Sequence, residues 1–454
     1  MSGQITTKPS VLQILVDRLH QPVGAVSRER AALHLLDWLG QAKLGLRQPA
    51  AAGFIANLET NIAGQATAIS GAHGDWWQVL QLNAALGNLL EMDDLHRSSI
   101  LHPGPVIVPA AIAVAEKMGA SGEALLTAIV RGYEATIRIG AALGTTHYRY
   151  FHNTSTCGTF GAAAAAASLL NLDRHQTAHA LANAGSRTGG LWQMRHEACE
   201  TKSLHNVMAA QTGVQAALMA VHGVRGPLHL LDGPEGLFAA MSDGANADNV
   251  VADMDANWRI HEVSFKPWPA CRHAHPVIDA ALAVLNAVDI ETIEKISIET
   301  YKSALDFCNK PTPVTEHDAK FSLQHCAAVV FANAHNLGNP TLADFQPAQL
   351  QLEPVVRLRK LVEVRENAEM SKQFPAHYQA SITVTHGDGR VVTHLQHDAK
   401  GDPEVPLSTD EITAKARMLM TSAEVLDVET LIAATLAIAA ETLVANWTKR
   451  WTHA

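Results

Sequence analysis

Through about residue 265 no stretch of the chain reads convincingly as an alternating strand, while apolar residues recur at helical spacing in one segment after another. That absence restricts the fold more than any motif does, because a sheet facing a core leaves a period of two in its strands. Val11 to Leu44 shows the helical period through Leu12, Leu15, Leu19, Ala31, Leu33, Leu36 and Leu39. Trp76–Leu90, Val106–Lys117, Gly122–Leu143, Gly158–Leu170 and Thr201–Val221 read as helices, and Asp173 is placed to cap a further one over His175–Ala184. Residues 45–75 are looser. The expectation is a mainly α domain.

The pattern changes after Trp258. Pro267, Pro269 and Pro276 punctuate a short span, and Val277–Val288 and Phe321–Ala334 read as helices. Glu294–Thr300, Leu361–Val364, Tyr378–Thr385 and Arg390–Leu395 read as strands, with Gly387-Asp388-Gly389 closing the last two as a hairpin. Lys400-Gly401-Asp402-Pro403 reads as an exit linker, and Thr409–Met420 and Val425–Leu443 are helical again. The fold class expected is mainly α with a smaller α+β domain. Residues 1–266 and 399–454 are expected to form an all-helical domain from both chain ends, and residues 267–398 a smaller α+β domain.

Composition narrows the function. A length of 454 residues, 47 % of them apolar and 17 % charged, suits a globular chain with a substantial core. A net charge of -10 without a long basic run argues against a nucleic-acid partner. The five cysteines, at 157, 199, 271, 308 and 326, are odd in number and form no CxxC, which argues against a disulfide framework and a cysteine-bound metal. Met1 to Ser10 lacks the apolar stretch of a signal peptide, and Gly158–Leu170 is too short to span a bilayer. A soluble cytoplasmic protein, away from membranes, is expected.

Between two apolar helical runs lies Glu91-Met92-Asp93-Asp94-Leu95-His96-Arg97-Ser98-Ser99-Ile100-Leu101-His102-Pro103-Gly104-Pro105. Acids and histidines in a half-buried setting shift one another's pKa values, as proton-transfer sites require. A solvated helix end explains the same residues about equally well. Tyr148 to Gly158 offers His152 and several Ser, Thr and Asn residues able to cap the alanine-rich helix that follows. Lys202 and His205, three apart, share a helix face. Ser264 to Pro276 gathers Lys266, Arg272, His273 and His275 at the expected domain seam, a usual place for ligands. His273 and His275 also form an HxH pair that could bind a metal.

These segments, in this order, resemble the MmgE/PrpD family over almost the whole chain. The resemblance rests on Asn83 through Asp94, His102-Pro103-Gly104, His152 through Gly161, Thr201 through His205, Lys266 through Pro276, Ala319 through Gln324 and Gly401-Asp402-Pro403. That family includes 2-methylcitrate dehydratase, cis-aconitate decarboxylase and iminodisuccinate epimerase. The resemblance implies a helical domain with a smaller lid, usually a homodimer, and a site between the domains that uses no metal or cofactor. It implies action on small di- or tricarboxylates by moving a proton on carbon beside a carboxylate. His102, His152, Lys202 and Lys266 match family active-site positions. Three positions depart from the pattern. Glu91 stands where many members have Asp, Asn88 where many have His, and Cys271 where the decarboxylase branch has His.

Residue chemistry gives the roles. Loss of a proton beside a carboxylate builds a dianion that cations must hold. Lys202, Lys266 and Arg272 are candidates, with His273 and His275 nearby as further substrate-binding residues. His102 is expected to transfer the proton, oriented by Glu91 or Asp94, while His152 positions substrate or protonates a leaving group. The departures argue against a straight transfer of decarboxylation and leave the methylcitrate substrate open. Dehydration, epimerisation and decarboxylation share this intermediate, and a lyase acting on a polycarboxylate is expected, with a hydro-lyase first. A metal-dependent hydrolase using His273 and His275, and a carboxylate-binding protein without catalysis, are the readings from other classes.

Overall fold

The computed structural model describes residues 9–58, 66–197 and 199–453. The chain's first residues and part of the loose stretch 45–75 therefore lie outside the described residues. The chain divides into two compact units, Met1–Val263 with Thr409–Ala454, and Ser264–Ser408.

The first unit is built of helices. The main ones before residue 222 are α1 (Val11–Leu19), α2 (Ala25–Gly45), α3 (Trp76–Leu86), α4 (Gly104–Met118), α5 (Gly122–Tyr148), α6 (Asn153–Leu169), α7 (Arg174–Gly185) and α8 (Thr201–Val221). The apolar run from Val11 to Leu44 is two helices, because Pro22 and Gly24 interrupt it. Ser10 starts α1 and Asp173 starts α7, each in a capping box with a glutamine three residues on. Two residue pairs, Ala66–Gly74 and Thr67–His73, form a short antiparallel bridge, too brief to leave an alternating pattern.

Helix α6 is buried almost throughout and packs on α5 and α8. Its alanines and glycines are what let the neighbours approach. A Cβ on Gly161 would lie 2.7 Å from the Gly132 carbonyl of α5, and one on Gly213 of α8 would lie 2.4 Å from the Thr159 carbonyl of α6. The helix begins at Asn153, five residues earlier than the sequence suggests. Ser155 and Thr156 thus sit inside it, and His152 occupies the N-cap without a side-chain capping bond.

Helix α11 (Thr409–Ser422) returns to pack on α2, joined by a buried Asp37–Lys415 ion pair of 2.6 Å. The expected helix over Val425–Leu443 stops early, as α12 (Val428–Leu436). Beyond it the backbone is engaged elsewhere. Gly122 N–H donates to the Glu441 carbonyl and Val444 N–H to the Ala120 carbonyl, so local helix formation gives way to a tertiary contact.

In the second unit, β1 (Ile293–Thr300), β2 (Val362–Glu366), β3 (Ala380–His386) and β4 (Val391–Gln396) form one sheet in the order β2-β1-β3-β4. The β1–β2 pair is parallel and the other two are antiparallel. Ile296, Ile298, Ile382 and Val384 pack with residues of α9 (His275–Val284) and α10 (Leu323–Ala332) in one apolar cluster. Gly389, at φ 84°, makes the tight turn between β3 and β4. The architecture is mainly α with a small α+β part. No described helix is long and apolar enough to cross a membrane.

Candidate active site

The stretch between α3 and α4 is where the helical unit gathers its charge. It doubles back on itself, with His96 and Leu101 exchanging backbone hydrogen bonds of 2.8 and 3.3 Å. Its three acids then meet three different fates.

Asp94 is consumed by structure. One carboxylate oxygen accepts from Gly104 N–H at 2.9 Å, at the start of α4. The other accepts from His34 Nδ1 at 2.8 Å and from the Tyr133 hydroxyl at 2.6 Å. Gly104 is required here, because a Cβ would lie 2.8 Å from the Asp94 carboxylate. Burial pushes His34 down to about 4 and holds the Tyr133 phenol well above its ordinary value.

Asp93 is the carboxylate beside His102, at 2.9 Å from Nδ1. The same Nδ1 lies 2.8 Å from the Asp94 backbone carbonyl. The orienting partner expected from sequence was Glu91 or the Asp94 side chain; the structure supplies Asp93 and the Asp94 main chain. Asn88 donates to the same Asp93 oxygen at 2.9 Å, and His102 N–H donates to Thr154 Oγ1 at 3.0 Å. Both neighbours of Nδ1 are acceptors, so Nδ1 carries the proton. Nε2 is left as the basic nitrogen of the neutral ring, or as the acid when the ring is protonated. Among the described residues it has no hydrogen-bond partner, and 16 % of the side chain is exposed while Asp93 is buried.

Glu91 forms an ion pair with Lys202, from the first turn of α8. Its φ of 58° places a non-glycine residue in the left-handed region, a strained backbone of the kind that persists where surrounding contacts hold it. His205, one turn on from Lys202, meets His152, with the two Nδ1 atoms 3.2 Å apart. One of the two donates and the other accepts. His152 is buried against Trp192, and its pKa is driven well below the ordinary value, first by burial and then by His205, Lys202 and His102. Its ring is neutral near pH 7.

The other predicted residues lie in the second unit. Lys266 is buried. Arg272 pairs with Asp402 and donates to the Lys400 and Ala399 carbonyls at 3.0 and 3.2 Å. His275 lies 3.1 Å from Arg272 through Nδ1 and 3.0 Å from the Ala270 carbonyl through Nε2. His273 lies 2.7 Å from the Tyr301 hydroxyl and stacks against Phe307 and Tyr378. Both nitrogens of His275 are engaged, which corrects the HxH metal pair. Metal-capable groups among the described residues include neither histidine.

The sequence reading gave no individual role to Asn88, His34, Tyr133 or His205. Their signal is three-dimensional, apart from the shared face of Lys202 and His205. His102 and Lys202 both act electrostatically on His152, and a histidine of fixed tautomer together with a lysine-carboxylate pair can support general acid–base chemistry on an anionic substrate.

Similarity to known proteins agrees with that class. The family model of the MmgE/PrpD N-terminal domain matches residues 17–249, and that of the MmgE/PrpD C-terminal domain matches residues 268–436. The chain belongs to the MmgE/PrpD family. A cis-aconitate decarboxylase of Homo sapiens is 29 % identical over 351 residues, covering 74 % of this chain and 71 % of that protein. One from Mus musculus is 28 % identical over 359 residues, covering 74 % and 70 %. A cis-aconitate decarboxylase-like protein of Aspergillus oryzae is 28 % identical over 378 residues, covering 77 % and 76 %.

Proposed function

We propose that the chain is a lyase that decarboxylates a small unsaturated tricarboxylate of the cis-aconitate kind, with His102 as the proton-transfer residue. The observation that carries the reading is the double anchoring of His102 Nδ1 by Asp93 and the Asp94 carbonyl. In such a substrate, breaking one carbon–carboxylate bond releases CO2. The electron pair passes through the double bond to a carbon beside a second carboxylate. That carbon takes a proton from His102 Nε2, and the ring recovers the proton from water. Lys202 serves the anionic substrate once a substrate carboxylate replaces Glu91.

Dehydration stands first on sequence alone, and the names of the similar proteins reverse that order in favour of decarboxylation. The departures at Asn88 and Cys271 take no partner from His102. Asn88 supports Asp93, and the Cys271 thiol meets Cys308 within the second unit's core. The family resemblance also supports a homodimer; sedimentation tests the assembly.

Purified protein is offered cis-aconitate, citrate and 2-methylcitrate in deuterated water. The expected result is CO2 release from cis-aconitate, matched by deuterium on the product. Water loss or addition without CO2 restores the dehydratase reading. Exchange into a recovered substrate without either makes the protein an epimerase. No turnover and no exchange with any acid sinks the enzyme reading.

A further inference from the structure

The second unit holds a cluster that the catalytic reading does not use. His377 precedes β3 and His397 follows β4. Their pairing runs Ala380 opposite Gln396, so one step further puts His397 opposite Gln379 and His377 diagonally beyond it. Two histidines twenty positions apart therefore meet at the open end of the hairpin, with ring centroids 4.3 Å apart. Asp398 lies between them. One of its oxygens is 2.7 Å from His377 Nδ1, and the other is 2.8 Å from His397 Nδ1. One ligand atom from each of the three residues falls within 4.8 Å of the others.

We propose that His377, His397 and Asp398 form a binding site for a divalent transition-metal ion of the zinc class. Two imidazole nitrogens and one carboxylate suit such an ion far better than calcium or magnesium, which prefer all-oxygen shells. Zinc sits about 2.0–2.1 Å from nitrogen and about 2.0–2.2 Å from carboxylate oxygen, which puts tetrahedral ligand atoms about 3.3 Å apart. The present contacts need to open by only about 0.5 Å to reach that geometry, well within side-chain rotation. The ring protons on Nδ1 move to Nε2 on binding. The imidazole side chains are 32 % and 52 % exposed, so an ion can enter and keep water in its remaining position, while Asp398 is 11 % exposed and fixes the inner wall.

The ion would tie the start of β3 to the end of β4 and hold the segment that follows. Asp402 in that segment accepts from Ser264 and pairs with Arg272, so the site clamps the stretch that keeps Arg272 in place. Asp402 and Glu404 bring carboxylate oxygens within 4.8 Å of Asp398 and add negative charge around the ion.

The test uses full-length protein stripped with a chelator and titrated with Co(II), then Zn(II). The expected result is one Co(II) per chain with weak d–d absorption and no thiolate charge-transfer band, displaced by Zn(II). The His377→Gln and His397→Ala variants should each bind about 100-fold more weakly or worse, since even outer-shell losses cost 10–100-fold. Zinc should raise Tm in the unsubstituted protein and not in the His397→Ala variant. His377→Gln keeps a hydrogen-bonding side chain beside Asp398, so its loss of binding reports ligation rather than folding. Unchanged binding in both variants, a thiolate band, or no binding at high micromolar metal overturns the site.

Discussion

The acidic run Glu91–Asp94 and the basic span Ser264–Pro276 look like matching halves in the sequence, each dense in charge. They differ in how much of that charge the fold has already used. In the basic span Arg272 spends its guanidinium on Asp402 and two carbonyls, and His275 spends both nitrogens on its neighbours. In the acidic run only Asp94 is spent in this way. Asp93 lends its charge to a partly exposed histidine, and Glu91 holds a lysine that is 20 % exposed. Charge density along a chain thus says little about what a ligand finds. The groups left over after internal pairing decide it.

The strongest way to break the comparison is His102→Asn. If the acidic run is the working half, kcat should fall by about 10²–10⁴-fold, the usual contribution of a general acid–base residue. Circular dichroism and Tm should stay close to the parent's, because His102 bridges few structural elements. A variant with more than a tenth of parental kcat would move the proton transfer to another residue.

Asp402→Asn probes the other half and should act on stability instead. Removing one partner of a buried ion pair costs about 3–5 kcal/mol, because the remaining charge stays desolvated. Denaturant titration followed by the near-ultraviolet signal reads the loss. An unchanged midpoint would mean that Arg272 is not internally committed, and the contrast between the two spans would fail.

Lys202→Met comes next. A hydrogen bond to a charged group is worth about 1.5–3 kcal/mol, so KM should rise by about 10–100-fold while kcat changes less. An equal fall in kcat with constant KM would instead place Lys202 in the transition state alone.

Much of this was legible in the sequence where a periodic pattern carries the information. The four strands of the second unit lie within two residues of their expected bounds, because the alternation of β1 and β3 is a burial pattern written residue by residue. Helix ends were less legible. The end of α12 is set by the backbone of residues 120–122, more than 300 positions away. The site was legible as residue types and illegible as pairings. Asp93 and Asp94 are neighbours in the same run, yet one supports His102 and the other holds His34 and Tyr133. That choice depends on α2 and α5, which no local pattern encodes. The HxH motif shows the converse. A favourable spacing was absorbed into an aromatic stack and a carbonyl contact, while His377 and His397, without any motif, meet through strand register.

The smallest expected effect concerns the spent acid, Asp94, through its partner His34. Unfolded, His34 titrates at its ordinary value near 6.5. Folded, burial moves it to about 4, against the opposing pull of Asp94, with Arg30 and His261 adding to the depression. Between those values the unfolded chain binds a proton that the folded chain refuses. The contribution of His34 is therefore complete above pH 6.5 and is lost as the pH falls toward 4. Asp37 works in the opposite sense, since burial raises it to about 6 despite its pairing with Lys415. Its folded form holds a proton between about pH 4 and 6, which partly offsets the His34 loss as the solution is acidified. His34→Gln removes the His34 contribution and leaves that of Asp37. Its stability should decline less between pH 6.5 and 4.5 than the parent's, with a slope smaller by at most about 1.4 kcal/mol per pH unit. Denaturation midpoints at several pH values for both proteins measure that difference. Parallel curves would mean that His34 accepts a proton in the folded state.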